Sequence, residues 1–246
     1  MRSRTSPTRA ALPPTRFPAA STLKLAIAVE VMRALRERPA PGSRLFVLLE
    51  RMLERSDNEA ANDLESWLGG STSGGSAMVN ATMRELGLND SLMYGGYAIG
   101  TTARVPPIPA RLETQPSFGV GKFTTAYDLA RLLRLLHLAA GGRGALLHLL
   151  DGGFTPSDAR FLLFLLAHTT DNGRLDRLIA QRGGVAVLSK AGWIETARHD
   201  AGLVYWPGGA FVAVVMTFRE GGVGQAADVL AGRVAQAALE RFVHRR

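Results

Sequence analysis

A chain of 246 residues, 46% of them hydrophobic, has enough apolar material for a sizeable core in one domain or two lobes. The 29 Lys and Arg outnumber the 21 Asp and Glu, for a formal charge of +8. Part of that excess is terminal and no basic run carries interleaved aromatics, so anionic small molecules or an anionic cell surface fit better than nucleic acid. The absence of cysteine excludes disulfides, thiol catalysis and cysteine metal sites. The five scattered histidines never reach metal-ligand spacing, so neither a metal nor a cofactor is expected.

Residues 1–16, rich in Arg, Thr, Ser and Pro, read as a disordered lead-in. Pro13, Pro14 and Pro18 interrupt it before an apolar stretch forms, so no signal peptide is evident, and no apolar run is long enough to span a membrane. From Ser21 to about Arg36 apolar residues recur at helical spacing, until Pro39, Pro41 and Gly42 stop them. Ser43 to Arg55 predicts a second helix. Ser56 and Asp57 mark a turn or N-cap for a third, from Asn58 to Leu68. Gly69 to Gly75 reads as a flexible loop, and Ser76 to Leu86 as a fourth helix.

Residues 88–123 hold many glycines and prolines and little periodicity, the mark of a long functional loop. Thr124 and Thr125 then cap a periodic helix from Ala126 to about Leu138. Shorter helical pieces follow at Gly144–Leu150, Ser157–Ala167 and Arg174–Ala180. From Gly183 the period changes. Val185–Ser189 reads as a buried strand ending near Lys190, and Asp200–Trp206 and Ala210–Phe218 as a hairpin joined by Pro207-Gly208-Gly209. A helix from about Gln225 to Val243 closes the chain. Helices first and an antiparallel sheet with a covering helix last predict an α+β fold, with a helical lobe over 17–182 and a sheet lobe over 183–246.

Three short motifs carry chemistry. Ser21 and Lys24 are spaced to share one helix face. A serine at a helix start lies near unsatisfied N–H groups that can hold an oxyanion, and an amine in apolar surroundings can lose its proton and activate the hydroxyl. Taken alone, Ser21 fits an N-cap as well, and Ser56-Asp57 fits a helix cap. Lys190 alone fits a surface lysine and Arg198 a solvated charge. The order Ser-x-x-Lys, Ser-Asp-Asn and Lys-Ala-Gly changes that reading.

With Arg16–Lys24, Ser56–Asn62, Thr124–Ala130, Lys190–Ile194 and Arg198–Gly202, the chain resembles the class A β-lactamase-like serine hydrolases from Phe17 to its C-terminus. The resemblance implies a β-lactamase-like fold whose sheet is reduced on its N-terminal side, because only 20 residues precede Ser21. It implies Ser21 as the acylated nucleophile, Lys24 as its base or part of the proton relay, and Ser56 as the donor to the leaving nitrogen. Asn58 would hold a substrate amide and Lys190 would sit near a substrate carboxylate. The N–H groups of Ser21 and Trp193, flanking Gly192, would form the oxyanion hole. It further implies a small-molecule substrate, a monomer and an extracytoplasmic location.

The chain departs from the family pattern at several points. Ala191 replaces the threonine of Lys-Thr-Gly, with Arg198 as a candidate substitute partner for the carboxylate. The deacylating glutamate would fall near Gly95, Gly96 or Tyr97, and Glu113 is the acidic residue of the loop left to serve. Ser21 and Ser56 are close in sequence, which trims the helix and loop between them. The leading reading is a serine hydrolase opening a β-lactam or related cyclic amide. A D-alanyl-D-alanine peptidase-like or esterase-like hydrolase is the alternative, and a catalytically weak penicillin- or peptidoglycan-binding protein the second.

Overall fold

The structure, a computed structural model, describes residues 14–98, 105–111 and 115–244. Residues 1–13 of the expected 1–16 lead-in, and Glu113, lie outside the described residues; Arg16, the last residue of that lead-in, is in a strand. Helix α1 (Lys24–Leu35) is buried without interruption from Lys24 to Met32, and a helix with no polar face belongs at the centre of a core. Around it pack α2 (Arg44–Glu54), α3 (Asn58–Gly69), α4 (Thr72–Glu85) and α6 (Pro156–Ala167). Helix α5 (Ala126–Ala140) packs against α6 and the sheet.

Strands β3 (Ala186–Ile194), β4 (Ala197–Trp206) and β5 (Gly209–Phe218) form an antiparallel sheet in that order. Strand residues alternate between faces. Ala201 and Leu203 join the helical core. Val204, Phe211 and Ala213 face α7 (Ala226–Val243), with Leu175 and Ile179 between. This is the α+β arrangement expected, with three strands in the main sheet among the described residues. A separate pair, β1 (Arg16–Pro18) and β2 (Phe123–Thr125), anchors the segment leading to Ser21, with Phe17 opposite Thr124. No described helix is long and apolar enough to cross a membrane.

Three expectations need correction. Gly69–Gly75 is not a flexible loop: α4 already starts at Thr72, capped by the Ser71 hydroxyl. Its glycines serve close packing. A Cβ on Gly75 would stand 2.2 Å from the Glu65 carbonyl oxygen, and one on Gly74 equally close to that of Gly69. Arg174–Ala180 forms successive turns instead of a helix, because the Asp176 carboxylate takes the N–H groups of Gly173 and Arg174 while Arg174 is drawn inward to Asp171 and Asp228. Strand β3 does not end at Lys190 but runs on to Ile194, placing Lys190 opposite Ala201 and Gly192 opposite His199.

Candidate active site

Ser21 lies in a single 3-10 turn (Ala20–Leu23) that feeds directly into α1, and the Lys24 N–H bonds back to the Ser21 carbonyl. Positions three residues apart eclipse in a 3-10 turn, which puts Ser21 and Lys24 on one side of it. Ala20, just before Ser21, is held at φ +46°. A left-handed alanine costs on the order of 1–2 kcal/mol, and such strain persists only where the surroundings impose it. They do so here: the Ala19 N–H is bonded to the Lys122 carbonyl at 2.9 Å, and Gly192 of β3 presses on the turn from the other side. A Cβ on Gly192 would lie 2.8 Å from the Ser21 nitrogen and 2.9 Å from that of Thr22, so only glycine lets the strand come this close.

Ser56 is the second strained residue, at φ +57°. The turn aims its carbonyl at one lysine and its hydroxyl at another. Lys24 Nζ donates to Ser56 O and to Asn58 Oδ1, both at 2.6 Å. Lys190 Nζ donates to Ser56 Oγ at 2.8 Å and to its neighbour's carbonyl, Ala191 O, at 2.9 Å. Both lysine side chains are fully buried. Burial, followed by the Lys190 charge, brings Lys24 down to about 7, against the pull of Asp57 and Asp171. Burial likewise brings Lys190 down to about 8. Two donated bonds account for both hydrogens of a neutral Lys24 amine and leave its lone pair free to accept a proton.

On the other side of Lys24 lies the loop after α4. Four side chains pin its backbone. Asn62 accepts from Tyr97 N at 2.6 Å and donates to Tyr97 O at 2.9 Å; Asn80 does the same for Met93. Ser76 Oγ lies 3.0 Å from Gly95 O, and Lys122 Nζ donates to Gly96 O at 2.7 Å. The Tyr97 ring is buried, with Lys24 Nζ 4.6 Å and Lys122 Nζ 4.4 Å from its centroid. Its hydroxyl faces Met93 Sδ at 3.8 Å, and burial pushes the phenol well above its usual range, so it stays protonated. Behind it, Glu65 is fully buried. Burial raises that carboxyl to about 7 against the Ser76 hydroxyl and the Lys122 charge. Ser76 Oγ is 2.6 Å from Glu65 Oε1, and the other oxygen, Oε2, has no hydrogen-bond partner among the described residues.

Comparison with known proteins fits this geometry into a family. The model of the β-lactamase enzyme family matches residues 40–242. The chain belongs to the β-lactamase enzyme family. No curated protein sequence matches it. Among solved structures, the class A β-lactamase from Mycobacterium abscessus is similar at TM-score 0.70 and 20% identity, over 92% of this chain and 85% of that one. The β-lactamase of Sphaerobacter thermophilus gives 0.67 and 21%, over 92% and 83%. An acyl-enzyme complex of a PBP-A variant with penicillin G gives 0.68 and 21%, over 93% and 83%. At these identities the likeness is one of fold.

Within this β-lactamase-like hydrolase, the expected site residues do not all gather at one point. Lys24, Ser56, Asn58 and Lys190 are joined by hydrogen bonds, and Gly192 brings β3 onto the Ser21 turn. Trp193 is largely exposed beside that contact. Arg198, paired with Trp193 across the strands, is held by Asp228 at 2.6 Å, and its guanidinium lies 6.0 Å from the Trp193 ring. Asp228 also meets the buried Arg174 at 3.2 Å, so Arg198 is engaged at the rim of the sheet. Among the described residues no cluster of His, Asp or Glu could hold a metal ion.

Tyr97 is one of the three positions at which the deacylating glutamate was expected; sequence reasoning missed Asn62 as its clamp and Lys122 and Glu65 beside it. Asn62 was visible as the last residue of the Ser56–Asn62 string. Lys122 and Glu65 carry no motif; the signal that could have drawn attention to Lys122 is that the chain has three lysines in all.

Proposed function

We propose that this β-lactamase-like hydrolase acylates Ser21 with a β-lactam or related amide and clears the acyl group slowly. Supporting acylation is the chain of hydrogen bonds from Lys24 through Ser56 to Lys190 beside the Ser21 turn. Lys24 takes the Ser21 hydroxyl proton, and Ser21 Oγ attacks the amide carbon. The carbonyl oxygen becomes an oxyanion facing the N–H groups of Ser21 and Trp193, each worth about 3 kcal/mol of barrier in such a role. As the C–N bond breaks, Ser56 passes its proton to the leaving nitrogen and is reprotonated from the lysine side. Lys190 draws the substrate carboxylate and Asn58 holds a side-chain amide.

The single observation that carries slow release is the residue held by Asn62. It is Tyr97, a phenol that keeps its proton and turns its hydroxyl to Met93, so it offers no base for water. The same observation favours the D-alanyl-D-alanine peptidase-like reading over a resistance enzyme. The reading puts the protein's work outside the cytoplasm, on a small molecule or peptidoglycan-like peptide, as a monomer. A fluorescent penicillin tests it. Wild type takes up one label per chain and Ser21→Ala takes up none; a folded wild type without label refutes the reading. Many rapid cycles of nitrocefin turnover refute slow release.

A further inference from the structure

Only three of the 29 basic residues are lysines: Lys24, Lys122 and Lys190. The rest are arginines, which keep their charge at any pH a protein tolerates. A lysine can lose its proton when burial or a neighbouring charge disfavours it. Two of the three sit in the motifs and share Ser56 as a partner. Lys122 belongs to no motif, yet its backbone and side chain reach both halves of the site. Its carbonyl holds Ala19, two residues before Ser21. Its Nζ is fixed by Gly96 O and stands over the ring that Lys24 also stands over.

We propose that Lys122 is a positioning residue for the acylation step, bearing on Lys24 across the Tyr97 ring so that Lys24 stays uncharged and ready to take the Ser21 proton. The inference rests on the acyl-enzyme reading above.

An aromatic ring attracts a cation through its quadrupole, which by itself would keep Lys24 charged. A second cation on the same ring opposes that. The two centroid distances put the ammonium groups at most about 9 Å apart, beside a buried ring, where like charges still shift a protonation equilibrium roughly three- to tenfold.

The neighbours decide which lysine gives way. Lys122 has Glu65 of α3, a carboxyl that supports its charge. Lys24 faces Lys190 from β3, and its carboxylates, Asp57 and Asp171, are engaged by Arg51 and Arg174. Lys24 is also the more deeply buried of the two, so desolvation costs its charge more.

The scarcity of lysine makes a direct test practical. Protein carrying ¹³C-labelled lysine gives three side-chain Cε signals, whose titration by NMR reads each amine. Lys24 is expected to titrate near pH 7 in wild type and in Lys122→Arg, which keeps the charge, and at higher pH in Lys122→Met. The acid limb of labelling by fluorescent penicillin should move the same way, with labelling of Lys122→Met at about pH 6 falling roughly three- to tenfold and recovering as the pH is raised. The double variant Lys122→Met/Glu65→Gln covers the case in which the single variant does not fold; losing the carboxylate as well as the ammonium, it should show an upward shift of smaller size. Coincident Lys24 titrations in wild type and both Met variants overturn the proposal, as does a loss of labelling equal at every pH. A wild type that takes up no penicillin sinks the acyl-enzyme reading, while the NMR titration still decides the influence of Lys122 on Lys24.

Discussion

On the side of Lys24 that faces β3, each amine is matched by oxygens at 2.6–2.9 Å: Ser56 O, Asn58 Oδ1, Ser56 Oγ and Ala191 O. On the side that faces the loop, the backbone is fixed just as firmly by Asn62, Asn80, Ser76 and Lys122, but what it presents to Lys24 is an aromatic ring. Rigidity is therefore common to both sides and chemistry is not. One side holds two lysine amines by short donor–acceptor contacts. The other sets the Tyr97 ring, and beyond it the Lys122 amine, against Lys24. The two halves of a hydrolytic cycle, forming an acyl-enzyme and clearing it, need different equipment, and a fold can keep the first while changing the second.

Four changes and one pH profile break or sharpen that contrast. Ser21→Ala should abolish covalent labelling by penicillin, a loss of about 10³-fold or more in rate, read on a fluorescent gel. Tyr97→Glu puts a carboxylate on the backbone that Asn62 clamps. The acyl-enzyme, followed by intact-protein mass spectrometry, should then decay about 10²-fold faster; an unchanged lifetime would erase the distinction between the two sides. Because the base must be unprotonated and Lys24 lies at about 7, wild-type acylation should fall about tenfold for each pH unit below that value and level off above it. Ala191→Thr restores a hydroxyl beside Lys190 and should tighten binding of a carboxylate-bearing substrate about tenfold, seen in KM. Ala20→Gly relieves the left-handed alanine at φ +46° and should raise Tm by about 2–4 °C.

The motif residues were legible because each motif packs its chemistry into three or four consecutive positions, which local structure then preserves. The helices of the first lobe and the three final strands were legible from their periods for the same local reason. What was not legible depends on approach between distant segments. Glycine at 74 and 75 reads as freedom in a sequence, whereas here it is the absence of a side chain where α4 crosses α3. The stretch from Arg174 has helix-forming residues, but the pull of Asp171 and Asp228 on Arg174 outweighs propensity. Tyr97 and Lys122 meet only because β2 and the loop after α4 are drawn together, with Leu92 bridged to Phe123. No spacing rule announces that meeting.

The confinement of lysine to the site also changes how the protein can be handled. Amine-selective reagents such as succinimidyl esters ordinarily decorate a surface at random. On this chain, apart from the α-amino group, they find only three targets, two of them sealed inside the fold. Their rate of attachment at Lys24 and Lys190 is then a gauge of how often the candidate site breathes open, and occupancy by a ligand can be followed as protection from a common laboratory label.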